Sequence, residues 1–291
     1  MKLRVVHRTS YSYSESVTTS HHEARLTPRD HENQRTLSHE LEIVPAPAVR
    51  RRRFDYFGNR TLHFHLSEPH KSLAVNVSTI VEVRAPRPLD LQRTPPWEEV
   101  RDRLRSDRRR DVLDAYQMTF ESPHVALTPE LLAYAQPSFA AGRPVLEVAR
   151  DLTSRIHADF AYDAKATTIS TTIAQILTAR RGVCQDFAHL MVGSLRALGL
   201  GARYVSGYLR TKPPPGQPRL VGADASHAWA AAWVPELGWV DFDPTNDLIP
   251  GADHVTAAYG RDFSDVTPIR GIILGGGAHT YAVSVDVDAV E

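Results

Sequence analysis

Hydrophobic and polar positions along this chain follow two different periods, and the change from one to the other divides it. Over residues 1–84 the alternation has period two, as on a pleated strand with one buried face. Leu3-Arg4-Val5-Val6-His7 leads into Tyr11-Ser12-Tyr13, and further strands are predicted at Ser38–Val44, Thr61–Leu66 and Leu73–Val83. Between them, Pro45-Ala46-Pro47 and Phe57-Gly58-Asn59-Arg60 are turn sequences, built from residues that tolerate or impose turn dihedrals. Several short strands at this spacing predict a β-sandwich-like N-terminal domain.

The alternation stops over residues 85–140. Ala85-Pro86-Arg87-Pro88 and Pro95-Pro96 predict a linker, and Thr128-Pro129-Glu130 predicts a short helix starting at Pro129, since proline suits the first helical position. From residue 141 the period is helical. Val145, Val148, Ala149, Leu152, Ile156 and Phe160 share one helix face, a second helix covers about Thr171 to Ala179, and Phe187, Leu190, Met191, Ser194, Leu195 and Leu198 define a third. Gly199 and Gly201 end that third helix. Strands follow at Ala202–Arg210, Ser226–Val234 and Trp239–Thr245, then at Ile269–Leu274 and Tyr281–Val287 around Gly275-Gly276-Gly277. Helices followed by strands predict an α+β core over residues 141–291, with helices packed on an antiparallel sheet.

Composition narrows the function. Hydrophobic residues at 42% and charged residues at 23% are ordinary for a globular protein. Lys plus Arg and Asp plus Glu balance at 34 each, so no global field draws the chain to nucleic acid or to a membrane surface. The arginine-rich segment 101–110 alternates in sign with Asp102 and Asp107 and lacks interleaved aromatics. It is expected to be a solvated helix or connecting segment, and no nucleic-acid partner is expected. There is no 18-residue apolar run, so no membrane-spanning helix is expected. The opening MKLRVVHRTSYSYS lacks the apolar run of a signal peptide. A lone cysteine precludes an internal disulfide and suits a reducing compartment, which makes the cytoplasm the expected location.

That cysteine is Cys184, at or just before the first turn of the third helix. Unpaired N–H groups and the positive dipole end there favour an anion, hence a thiolate. Cys184 read alone is equally well a small buried hydrophobe. A nucleophile needs a base within hydrogen-bond reach and a third group to orient that base. His227 and Asp243 lie on the two strands of a predicted hairpin, both toward the ends remote from its turn. A three-residue turn or a bulge would put them on one face; a two-residue turn centred on Glu236-Leu237 would separate them. Asp241 is the alternative carboxylate. Trp229 and Trp233 share the strand face of His227, as shields against water or simply as core. His21, His22, His63, His65 and His70 form no pattern with known metal spacing, so no metal is expected.

Arg181-Gly182-Val183-Cys184-Gln185-Asp186-Phe187-Ala188, Ser226-His227-Ala228-Trp229 and Trp239-Val240-Asp241-Phe242-Asp243-Pro244-Thr245 together resemble the three catalytic motifs of the transglutaminase-like superfamily. Glu23–Arg29 and Asp55-Tyr56-Phe57-Gly58-Asn59-Arg60 are similar to the β-rich region that precedes this core in a bacterial branch. The resemblance implies a papain-like, transglutaminase-like fold and a Cys184-His227-Asp243 triad, Asp243 being the aspartate that matches. It implies a thioester route on a peptide or protein amide, ending in hydrolysis (a protease, peptidase or amidase) or in acyl transfer to an amine. The Cys184 N–H is the natural oxyanion donor; Tyr162 and Gln185 are the candidates for a second. No cofactor is expected, and the acidic residues are too sparse for calcium sites. The competing reading is a non-catalytic relative, a binding or scaffolding module whose β-rich half recognises a partner protein. Lys212–Arg219 and the arginine-rich segment are both expected near the cleft.

Overall fold

The first strand is the spine of the N-terminal half. In the computed structural model, which describes residues 1–211 and 226–290, β1 (Lys2–Ala24) is one continuous strand of 23 residues. Four more strands join it before residue 84: β2 (Gln34–Val44), β3 (Val49–Phe54), β4 (Arg60–Leu66) and β5 (His70–Val83). The first half of β1 pairs with β5 and its second half with β4, with a register shift between Ser12 and Val17. The sheet therefore curls at that point, and its two halves face each other. Val17, Leu62, Phe64 and Leu66 meet Ile43, Leu73, Val75 and Val77 in one apolar cluster. Burial of that shared inner face is what makes a sandwich-like layer from a single sheet.

β3 carries Arg50, Arg51, Arg52 and Arg53 and is exposed along its whole length. It is an edge strand with no apolar alternation, which is why the sequence pattern does not reveal it.

Two domain boundaries differ from expectation. The C-terminal strands β12 (Ile269–Gly275) and β13 (His279–Val290) do not join the core sheet; both pair with β1. They act as one long edge strand, β12 along Val17–Ala24 and β13 along Lys2–Tyr13. Gly275, Gly276 and Gly277, all at positive φ, bridge the irregular stretch of β1 and keep the strand on the same edge. The N-terminal domain thus consists of 1–84 plus the chain's last strands. Strand periodicity shows where a strand lies but not which sheet it enters.

Segment 85–140 is likewise more than a linker. It holds α1 (Trp97–Ser106), α2 (Arg110–Tyr116) and α3 (Pro129–Ala135). Val100, Leu104, Val112, Ala115 and Leu131 from these helices are fully buried in the main core, with α4 (Val145–Asp159), α5 (Ile173–Ala179) and α6 (Cys184–Ala197). Each early helix buries so few positions that its charged face dominates the sequence. That face is solvated: Arg103 pairs with Asp107 at 3.6 Å and Glu236 at 2.9 Å.

The core sheet is antiparallel, in the order β10 (Gly238–Phe242), β9 (Ser226–Val234), β8 (Ala202–Leu209), β11 (His254–Gly260). Small residues Ala228, Ala230 and Ala232 let α6 lie close on one face, where Phe187, Leu190, Met191 and Leu195 bury completely or nearly so. Elsewhere Tyr208, Val255 and Ala257 pack against Leu3, Val5, Val81, Val83, Val285 and Val287 of the N-terminal sheet.

Among the described residues β11 is the sheet's outer strand, and an outer strand has backbone groups without a neighbouring strand to pair with. Two side-chain amides from the N-terminal domain satisfy them. Gln34 donates to the Thr256 carbonyl at 2.8 Å and accepts from the Thr256 N–H at 2.8 Å. Asn59 does the same for Tyr259, at 2.9 and 3.0 Å. Arg29 stacks on the Tyr259 ring, 3.8 Å from its centroid, and donates to the Asn59 oxygen at 2.6 Å. The turn sequence around Asn59 is therefore a docking device as well as a turn. Asn59 is fully buried, so Asn59→Ala strands both Tyr259 backbone groups and should lower stability by ~3 kcal/mol. Urea unfolding of the full chain measures this.

Candidate active site

The site starts at the N-terminus of α6. Asp186, at its third position, reaches back to accept the Val183 N–H at 2.8 Å and the Thr167 hydroxyl at 2.7 Å. Burial pushes the Asp186 carboxyl up, opposed by those two hydrogen bonds. A Cβ at residue 182 would lie 2.8 Å from the Asp186 Oδ2, so Gly182 permits the cap. The cap fixes Cys184 as the first helical residue, half-buried and reduced. The Arg180 carbonyl, one turn back, accepts from the Ala161 N–H instead. The Cys184 N–H is therefore left free of an intrahelical bond, as at any helix start.

The partners come from the β9–β10 hairpin. Val234 pairs with Gly238, leaving Pro235-Glu236-Leu237 as a three-residue loop, with positive φ at Glu236 and Gly238. This is the odd-length turn that puts His227 and Asp243 on one face. Asp243 lies just beyond β10, in a bridge with Leu248, and is completely buried. Its Oδ1 accepts the N–H groups of Thr245 at 3.0 Å and Asn246 at 3.2 Å. Its Oδ2 accepts from His227 Nε2 at 2.7 Å, Asn246 Nδ2 at 2.7 Å and His254 Nε2 at 3.2 Å.

Cys184 is near enough to the imidazole to act on its protonation. Burial alone would lower the His227 pKa. Hydrogen bonds to Asp243 and Cys184, and the charges of both, outweigh burial and push it up to about 10. Burial would raise the Asp243 carboxyl, yet the hydrogen bonds from His227 and His254 and the His227 charge hold it well below the usual carboxylate range.

Asp241 is elsewhere engaged, accepting the Trp229 Nε1–H at 3.0 Å. Trp229 is fully buried, its ring 5.9 Å from that of His227 and 5.3 Å from that of His254. It has room because β8 carries Gly207 opposite His227; a Cβ there would meet the indole at 2.6 Å and the Val255 oxygen at 2.1 Å. Trp233 lies in the helix-side core, apart from the imidazole. Tyr162, in the short strand β6 (Ala161–Tyr162), pairs in parallel with β7 (Arg181–Gly182), just ahead of Cys184. Burial, and then the nearby Cys184, raise the Tyr162 phenol. Gln185 is half-buried beside Cys184. Lys212–Arg219 lies outside the described residues.

Sequence reasoning missed His254 and Asn246. Asn246 sits three residues past Asp243, where an asparagine in a turn often bonds locally, and that could have flagged it. His254 opens β11, a strand whose Val255-Thr256 and Tyr259 are its only β-forming cues beside two alanines; nothing in it points to Asp243.

His227, Asp243 and His254 also place three ligand-type atoms within 4.8 Å of one another. Two atoms on one zinc, each at ~2.0–2.1 Å, would stand about 3.3 Å apart. The 2.7 Å between His227 and Asp243 is a hydrogen-bond distance instead. Of the histidines singled out in the N-terminal half, His21 stacks on His65 at 4.2 Å, His22 stacks on Phe64 at 4.8 Å, and His63 faces Glu23 at 3.4 Å.

The site thus holds a half-buried cysteine at a helix N-terminus and, on an adjacent hairpin, an imidazole bonded to a buried carboxylate. Comparison with known proteins gives the family. Residues 3–82 match the bacterial transglutaminase-like N-terminal region, and residues 133–244 match the transglutaminase-like superfamily. The chain belongs to that superfamily.

An uncharacterized protein of Mycobacterium tuberculosis is 43% identical over 298 residues, spanning 100% of this chain and 93% of the relative. A protein-glutamine gamma-glutamyltransferase of Pseudomonas aeruginosa is 37% identical over 129 residues, 43% of this chain but 18% of that protein. The crystal structure of a "putative cysteine protease" from Cytophaga hutchinsonii aligns with a TM-score of 0.77 over 100% of this chain and 91% of that one, at 22% identity. That likeness is one of fold.

Two outcomes follow from the geometry. Gly207→Ala displaces Trp229 or β11 and should cost ~1–3 kcal/mol in chemical unfolding, as overpacking does. The raised His227 contributes stability that is complete below ~6.5 and is lost as pH rises through about 10. The lowered Asp243 contributes stability present above ~4 and lost as pH falls through its depressed value. The stability gap between the native protein and Asp243→Asn should therefore be widest between about pH 4 and 6.5 and shrink toward pH 10. Unfolding curves across that range test it.

Proposed function

We propose that this protein is a cysteine-dependent enzyme of peptide or protein amides, with Cys184 as nucleophile, His227 as general base and acid, and Asp243 as orienter. The observation that carries this is the 2.7 Å His227–Asp243 hydrogen bond, with Cys184 half-buried at the N-terminus of α6 and acting on the His227 imidazole. The Cys184 proton passes to His227 Nδ1, and the sulfur attacks the amide carbonyl carbon. The tetrahedral oxyanion takes the Cys184 N–H at the helix start, with Tyr162 beside it. As the C–N bond breaks, His227 returns the proton to the leaving nitrogen and a thioester remains. Water or an amine then attacks the thioester, its proton taken by His227, and the thiol is restored. The Pseudomonas relative's name supports a glutamine side chain as the acyl donor.

The test uses a glutamine-containing peptide with and without a fluorescent primary amine, read by mass spectrometry. Acyl-Cys184 should be trapped, with deamidated or amine-linked peptide as product. Cys184→Ala should reduce turnover by about 10⁴-fold or more. Iodoacetamide should alkylate Cys184 near pH 7, and His227→Ala should slow this about tenfold or more, toward the rate of an ordinary thiol. A thiol inert in the native protein, with no acyl adduct, would favour the binding-module reading.

A further inference from the structure

Asp243 Oδ2 is the atom on which the orientation of His227 depends, and a third segment of chain reaches it. His254 enters from β11, two strands away from β9 in the sheet, and places Nε2 3.2 Å from that oxygen. We propose that His254 is a positioning residue for the triad: its Nε2–H fixes the Asp243 carboxylate, and through it the His227 ring, while touching neither substrate nor thiol. This rests on the catalytic reading of Cys184, His227 and Asp243 given above.

Three observations support it. To donate to a carboxylate, Nε2 must carry the proton, and a neutral ring then has a bare Nδ1. In His254 that Nδ1 is buried with no hydrogen-bond partner. An orphaned ring nitrogen in a dry site costs free energy that an apolar side chain would avoid, so filling space does not account for a histidine here. The ring is also held in place, edge-on to the buried Trp229 at 5.3 Å and 85°.

The strand that delivers it is fixed from outside the core. Gln34 and Asn59 of the N-terminal domain pair with the β11 backbone at Thr256 and Tyr259. The β-rich domain thereby sets the position of a side chain in the site. Of the donors to Oδ2, Asn246 comes from Asp243's own turn and moves with it. His254 and His227 come from separate strands, and only they anchor the carboxylate to the sheet.

The experiment measures iodoacetamide alkylation of Cys184 from pH 5 to 9 in the full chain, alongside thermal unfolding. His254→Phe keeps a ring against Trp229 but removes the donor. His254→Gln places an amide nitrogen near the position of Nε2. The expected result is a rate at pH 7 lowered about tenfold in His254→Phe, with its pH profile moved to higher pH. His254→Gln should stay within about threefold of the native protein, and the two variants should unfold within a few degrees of each other. In an Asp243→Asn background His254→Phe should have no further effect, because the two residues act as one unit.

A native rate in His254→Phe beside a slowed His227→Ala overturns this proposal alone. Equal rate losses in His254→Phe and His254→Gln, tracking loss of stability, also overturn it and make His254 merely structural. If His227→Ala itself alkylates at the native rate, the catalytic reading fails and this inference with it.

Discussion

A carboxylate that has lost all contact with water must be satisfied by protein donors, and much of this structure supplies them to Asp243. Five hydrogen bonds reach its two oxygens. Two are backbone N–H groups of its own turn, one is the Asn246 amide, and two are imidazoles from different strands. The cost of burying a charge is met only by such a complete set. Each donor in turn requires something of the fold: an odd-length hairpin loop for His227, a glycine on β8 for the Trp229 that walls it, a docked outer strand for His254. An ion pair between Asp243 and His227 is stable here because the pair is dry and fully bonded.

Cys184 answers to a different constraint. It is half-buried and held at one point by its place at a helix start. Asp186 and Gly182 lock that start, so the thiol is placed by backbone, while His227 comes from the sheet that α6 packs on. The run of small alanines on β9 lets helix and sheet pack closely.

The N-terminal domain is bound into this arrangement. Its curled sheet buries one end against β8 and β11, and two amides replace the missing neighbour of β11. A free edge would otherwise invite pairing with another chain. The same contacts explain the turn motif around Asp55–Arg60, whose asparagine serves the partner domain. They also explain why β12 and β13, at the far end of the chain, complete the N-terminal sheet: β1 has an open edge along its whole length for them to cover.

Much of this was legible in the sequence. The helices at Val145 and Cys184 and the strands flanking them follow from local periodicity and turn chemistry, because neighbours in sequence decide those; the set Cys184, His227, Asp243 followed from the resemblance of its three motifs. Even the parity of the β9–β10 loop could be stated as a condition. Tertiary structure alone decided which sheet receives β12 and β13, that α1–α3 are core, and that His254 joins Asp243. Those outcomes depend on contacts between residues far apart in the chain, set by which apolar faces bury together and which polar atoms are left needing partners. The spacing of residues within one segment does not carry that information.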